Sequence, residues 1–193
     1  MADEMTKQSP QSNADPAAET ALPWLTATLL FWPIALAGAA LDLWSKWAVF
    51  KWLEGIRDRQ FILIDGSVRF ILRENDGAAF SLFGGWTFML VGISAVALLV
   101  VICIFFMRKI HSRLMLFALG CMTGGIIGNL YDRAFNEGRV RDFIDVLIPV
   151  IDYPWPTFNV ADSMLCIGVG LLVIANLTST TCQTHDPLQK EEH

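Results

Sequence analysis

FNVADSMLCIGVGLLVIANLTSTTCQT, residues Phe158–Thr184, sets a carboxylate, Asp162, at the mouth of 21 uncharged residues running from Met164 to Thr184. A run of that length matches the ~18–25 apolar residues with which a helix crosses a bilayer. A carboxylate at its edge is costly unless it serves chemistry or has a strong structural partner. Three more uncharged runs bounded by charges precede it: Thr20–Leu41, Gly77–Met107 and Leu114–Tyr131. The start of the second, GAAFSLFGG, reads as loop, which places that span from near Trp86. The runs lack periodic polarity and are apolar all round, as lipid-facing helices are. A soluble four-helix bundle would need polar faces that are missing.

Composition agrees. The 193 residues are 54% hydrophobic, with a mean hydropathy of +0.47, where soluble domains run nearer 45–50% apolar. The expected fold is an all-α membrane protein of four transmembrane helices. The first loop adds a small extramembrane β-sheet or hairpin, because QFILIDGSVRFILREN (Gln60–Asn75) has two apolar, β-branched runs around DGS. Residues 1–20 and 181–193 are polar, mostly acidic tails expected to be disordered, around a membrane domain at 21–180. The acidic start lacks the basic region of a signal peptide, so the first span is read as an uncleaved anchor.

Cysteine and histidine usage points away from metals and disulfides. Cys103, Cys121, Cys166 and Cys182 form no CxxC pair and read as small packing residues. His111, His185 and His193 fall in a link or tail, so no metal and no cofactor is expected. The net charge of −5 lies largely in the tails, and nothing suggests nucleic acid. Four spans put both tails on one side of the membrane. With the tails cytoplasmic, five Lys and Arg residues lie inside and eight outside. That count favours the opposite orientation, but the rule is weaker for folded extramembrane segments, and the basic link RKIHSR suits the cytoplasm. On charge alone the orientation stays open.

Polar residues interrupt the apolar pattern in a few places. In GCMTGGIIGNLYDR, Gly120, Gly124 and Gly128 share a helix face and allow close helix contact. Asn129, Asp132 and Arg133 follow at spacings that also share a face. The loop after them carries Asp142, Asp145 and Asp152, with Asp142 in an apolar, strand-like stretch, and returns to Asn159 and Asp162. Because this loop joins the third and fourth spans, Asp132, Asp142 and Asp162 are expected to converge at one membrane surface. Two carboxylates within hydrogen-bond reach share a proton. Such a pair can activate water with one member and protonate a leaving group with the other, as in an aspartic protease. Many acidic loops share this spacing; the apolar surroundings give it weight. Asp42 and Lys46 in LDLWSKW are four apart, the favourable order for an ion pair, and also suit an interfacial snorkelling pair between Trp44 and Trp47. In ENDGAAFSLF, Asn75 precedes a small-residue stretch that suits either a tight turn or close approach to something bulky.

DLWSKW, ENDGAAFSLF, GGIIGNLYDR, RVRDFID and FNVADS, in that order among four spans, resemble lipoprotein signal peptidase, the bacterial signal peptidase II family. The resemblance covers nearly the whole chain between the tails. It implies an aspartic endopeptidase of the bacterial inner membrane, with both termini cytoplasmic and the site near the periplasmic face. Such an enzyme cuts the signal peptide from a diacylglyceryl-modified prolipoprotein just before the lipidated Cys. The catalytic aspartates then match Asp142 and Asp162. Asn75, Asn129, Arg133 and Asn159 match polar residues lining the site, Asp132 a supporting residue, and Asp42 and Lys46 a polar pair near it. The implied partners are prolipoprotein substrates and membrane lipids, with the enzyme acting as a monomer. Two residues depart from the family pattern, Asp76 and Arg141, and an extra charge beside a catalytic aspartate is expected to lower its pKa. Without the resemblance, Asp and Arg residues within the membrane also suit a proton- or ion-coupled carrier. Carboxylates at one face rather than the midplane, in a short chain without an internal repeat, weigh against that. A presenilin-like protease would suit LYD (Leu130–Asp132), but no GxGD follows.

Overall fold

The structure, a computed structural model, describes residues 22–76, 87–107, 110 and 112–183. Residues 1–20, GAAFSLFGG, residues 184–193 and the three histidines lie outside them, whereas 181–183, expected to belong to the C-terminal tail, continue the last helix. Along the chain run α1 (Trp24–Glu54), β1 (Gln60–Ile64), β2 (Val68–Asn75), α2 (Thr87–Phe106), α3 (Arg113–Phe135), β3 (Val140–Ile148), β4 (Tyr153–Phe158) and α4 (Val160–Gln183). All four helices are long and apolar enough to cross a membrane.

The expected spans are present, but α1 is longer than its uncharged run. Its 31 residues extend about 46 Å at the helical rise of about 1.5 Å per residue. The helix carries Asp42 and Lys46 within it because both are wholly buried against other elements rather than set toward lipid. This removes the snorkelling alternative for the pair.

α3 is the central helix. In its most apolar stretch 61% of residues are buried, against 17–28% in the other three. Its glycines make this possible. A Cβ on Gly124 would stand 2.9 Å from the Ala35 carbonyl oxygen of α1 and 2.9 Å from Met164 of α4. A Cβ on Gly128 would collide with the Asp42 carboxylate, so this glycine lets that carboxylate lie on the α3 backbone. At one end of the bundle, Phe31, Phe105, Leu116 and Leu119 form an apolar cluster, with the Phe31 and Phe105 rings stacked at 4.2 Å. The buried polar residues gather at the other end, where α1 and α3 finish and α4 begins. Of the cysteines, Cys121 is buried, whereas Cys103 and Cys166 are exposed, Cys166 on the wall of a cavity.

The four strands form one antiparallel sheet in the order β1-β2-β3-β4. The hairpin around Asp65–Ser67 is present, and Gly66 takes a left-handed φ of +70° at its tip. The sheet is nevertheless twice the expected one. The connection between α3 and α4 supplies β3 and β4, and β2 pairs with β3 to join the halves. Sequence reading saw the strand character around Asp142 but not the partner YPWPTF, whose two prolines disguise it; proline is tolerated at a sheet edge, and β4 is an edge strand.

Candidate active site

The site is built on the start of α4. Asn159 caps this helix: its side-chain oxygen accepts the Asp162 backbone N–H at 3.0 Å. Asp162 reciprocates, accepting the Asn159 backbone N–H on Oδ2 at 3.2 Å. This is the reciprocal arrangement of a capping box, with Asn and Asp in place of the usual Ser and Glu. The cap leaves Asp162 Oδ1 to accept from Asn129 Nδ2 of α3 at 2.8 Å. Asp42 of α1 holds the same helix start, accepting the Ala161 N–H at 2.8 Å. The first turn of α4 is thus tied to both α1 and α3, and Asp162 is fixed at both oxygens.

Asp142 comes from β3 and is almost wholly buried, at 2% exposure. Its Oδ1 accepts from Asn159 Nδ2 at 2.7 Å and its Oδ2 from Asn75 Nδ2 at 3.2 Å. Asn159 therefore bonds to both carboxylates, through its side chain to Asp142 and its backbone to Asp162. Burial pushes the Asp142 carboxyl up to about 7, and the neighbouring Asp162 adds to the rise. The bonds from Asn75 and Asn159 and the charge of Lys46 oppose it without cancelling it.

Arg141, the residue before Asp142, does not lower that pKa as the sequence suggested. Successive strand residues point to opposite faces. Arg141 turns to Asp132, with Nη2 2.5 Å and Nε 3.2 Å from Oδ1. Its backbone N–H also donates to Asp132 Oδ2 at 3.0 Å. Its charge is thus engaged away from the dyad. Asp132 sits behind the site as a clamp between α3 and β3 and lines no part of the cavity. Lys46, with no exposure, lies 2.7 Å from Asp42 and 3.2 Å from Asp132. It donates to Asn129 Oδ1 at 3.0 Å.

Asp142 and Asp162 open onto a cavity of about 850 Å³ that Asn75, Asn129 and Arg133 also line. Arg133 Nε is buried there and has no hydrogen-bond partner among the described residues. Much of the remaining wall is β4, Tyr153 to Phe158, together with Leu165 of α4. Sequence reading missed this wall, and missed Arg73, which lines the cavity and donates to Thr157 at 3.3 Å. Only the strand pairing brings them in. Asp145, noted in the sequence as one more loop acid, is paired with Arg69 at 2.6 Å. Asp152 is an exposed turn residue, and Asp76 is exposed at the end of β2. The sequence marks nine residues for the site. Asn75, Asn129, Arg133, Asp142 and Asp162 line the cavity, Asn159 bridges the two carboxylates, and Asp42, Lys46 and Asp132 form a buried layer behind them.

Residues 34–178 match the family model for signal peptidase (SPase) II. The chain belongs to the signal peptidase II family. It is 42% identical to a lipoprotein signal peptidase of Rhodopirellula baltica over 159 residues, which cover 75% of this chain and 70% of that one. It is 35% identical to one of Halalkalibacterium halodurans over 150 residues, 76% of this chain and 90% of that one. Among solved structures it is similar to a bacterial membrane enzyme determined by the in meso method, with a TM-score of 0.69 and 30% identity, covering 87% of this chain and 94% of the other. A second such structure aligns at a TM-score of 0.66 and 28% identity, covering 82% and 97%. With its four apolar spans, this member of the family is a membrane-embedded protein.

Proposed function

We propose that this chain is an aspartic endopeptidase that removes the signal peptide from diacylglyceryl-modified prolipoproteins, cutting before the lipidated Cys. The observation that carries the reading is the pair Asp142 and Asp162. Two separate elements bring these carboxylates to one cavity, and Asn159 ties them together. Their place at one end of the bundle suits a peptide bond presented at a membrane surface better than a carrier's midplane site. In this reading the enzyme acts as a monomer in the bacterial inner membrane. Both termini are cytoplasmic and the cavity opens toward the periplasmic side.

The pair titrates as a unit and shares one proton. Asp142, held up to about 7, carries it near neutral pH. Asp162 takes a proton from water as the water oxygen attacks the scissile carbonyl carbon. The Asp142 proton hydrogen-bonds to the carbonyl oxygen, where negative charge gathers. The intermediate then collapses, the C–N bond breaks, and the leaving nitrogen takes the proton from Asp162. Asn129 and Asn159 hold the two carboxylates at fixed angles throughout. Arg133, with donors facing the cavity, holds backbone carbonyl or lipid ester oxygens of the substrate.

A gel-shift assay in detergent tests the substrate class. The purified protein is given one prolipoprotein in two forms, diacylglyceryl-modified and unmodified. Cleavage of the modified form alone is the expected result. Cleavage of both forms alike would remove the lipid requirement, and cleavage of neither would remove the peptidase.

A further inference from the structure

Asn129 has three polar contacts, and all three agree on how its amide is oriented. Its Oδ1 accepts from Lys46 Nζ at 3.0 Å and from Asn159 Nδ2 at 3.2 Å. Its Nδ2 donates to Asp162 Oδ1 at 2.8 Å. Turning the amide over would set its NH2 group against an ammonium and a second NH2, and its oxygen against a carboxylate. An amide's oxygen and nitrogen are otherwise nearly interchangeable in shape, so these contacts decide which end faces the dyad. Lys46 is the only one of the three partners that is always a donor.

We propose that Lys46 is a positioning residue for the dyad: it pins the side-chain oxygen of Asn129, so that the Asn129 NH2 group is presented to Asp162. Lys46 Nζ is ion-paired with Asp42 and Asp132 and donates a hydrogen bond to Asn129. The two ion pairs hold the ammonium in place, and the hydrogen bond reaches toward the site. The charged groups facing Lys46 are Asp42 from its own helix and Asp132 from α3, with Arg141 of β3 behind Asp132. Those sharing the dyad's cavity are Arg133 of α3, Arg73 of β2 and Asp145 of β3. The two buried carboxylates, Asp42 and Asp132, thus meet two cations, buried Lys46 and half-buried Arg141. Deleting Asp42 and Lys46 together leaves the Asp132–Arg141 pair intact, which supplies a charge-balanced background for a test.

The inference rests on the peptidase reading, and two readouts separate them. In the Asp42→Asn background, cleavage is compared with and without Lys46→Met, each in the presence and absence of Asn129→Ala. Loss of Lys46 is expected to lower kcat about 10- to 100-fold, the range for a hydrogen bond to a charged group, with KM little changed. Once Asn129 is Ala, loss of Lys46 is expected to cost nothing further. Losses that multiply, or a folded D42N/K46M protein with the kcat of D42N, would overturn the proposal. Asn129→Asp leaves the lysine in place and puts a second carboxylate oxygen where the NH2 faced Asp162. It is expected to be slower than Asn129→Ala, and an N129D protein as fast as N129A also overturns the proposal. The second readout needs no substrate: titration of carboxyl-13C-labelled aspartates by NMR. Loss of Lys46 is expected to move the aspartate midpoints further when Asn129 is present than when it is Ala, and an equal move in both counts against the proposal whether or not the protein cleaves. If the move depends on Asn129 but the wild type cleaves nothing, Lys46 keeps its positioning role while the peptidase reading falls.

Discussion

Asn159 does two jobs with different atoms, so substitution can separate them. Its Oδ1 caps α4 by accepting the Asp162 N–H at 3.0 Å, and its Nδ2 donates to Asp142 at 2.7 Å. Asn159→Ala removes both. The lost cap costs about 1 kcal/mol, within a range of roughly 0.5–2. The buried Asp142 oxygen left without its donor adds about 1–3 kcal/mol. Asn159→Ser keeps the cap, since Ser ranks with Asn at this position, but cannot reach Asp142 as the amide does. Thermal melting is therefore expected to place the Ser variant above the Ala variant by about 1 kcal/mol, or ~2–4 °C for a chain of this size. Cleavage should not follow that order. Both variants lose the amide at Asp142, and both are expected to lose about 5- to 150-fold in kcat, as the same 1–3 kcal/mol implies. The bond from Asn159 holds the Asp142 pKa down, so both should also shift the alkaline limb of the kcat/KM profile to higher pH. A Ser variant with wild-type kcat would show that the amide has no part in the dyad. Ser and Ala variants that melt together would remove the cap.

Asp142→Asn should stabilise the protein at neutral pH while abolishing cleavage. The Asp142 carboxyl rises from 3.8 to about 7 on folding, so the native state holds a proton that the unfolded state releases between those values. Stability from this group is full below about 3.8 and is lost as pH rises through about 7. The melting temperature of the Asn variant is expected to exceed that of the wild type at pH 8 and to approach it at pH 4; a wild-type advantage at pH 8 would contradict the burial argument. Gly128→Ala pushes a methyl group into the Asp42 carboxylate. That disturbs the Asp42 bonds to Lys46 and the start of α4, and the loss should reach several kcal/mol, the range for a disrupted buried charge network. A G128A protein melting within about 0.5 kcal/mol of wild type would contradict the close contact. Arg141→Val removes one of two cations on Asp132 but leaves the backbone N–H bond. It should cost about 1–3 kcal/mol in chemical denaturation without moving the pH profile, and a moved profile would mean that the Arg141 charge reaches the dyad after all.

The spans and the polar residues were legible in the sequence for the same reason. In a chain selected for apolarity, each Asp, Asn or Arg within or beside an apolar run stands out. Asp42 and Lys46 show the limit of that reading. Their spacing fits a snorkelling pair and a buried pair equally well, and only Gly128, by letting Asp42 onto α3, decides between them. Arg141 shows another limit. Adjacency in sequence suggested an effect on Asp142, while strand alternation sends the two side chains apart. The other half of the sheet went unseen because β4 carries prolines at 154 and 156, which lower any strand assignment made without knowledge of its partner. The cavity wall was lost with it, since pairing with β3 sets Tyr153–Phe158 beside Asp142. Asn159 was visible as a polar residue three before Asp162, but its bridging of both carboxylates depends on β3 folding back onto α4.

The central claim is that Asp142 and Asp162 act as one catalytic pair, and cleavage of a diacylglyceryl-modified prolipoprotein by wild type, Asp142→Asn, Asp162→Asn and Asp132→Asn proteins of matched folding tests it most directly. The account predicts that the wild type cuts, that neither dyad variant cuts, and that Asp132→Asn, whose side chain lies outside the cavity, retains measurable activity. Cleavage by either dyad variant at a rate near wild type, or loss confined to Asp132→Asn, would contradict it.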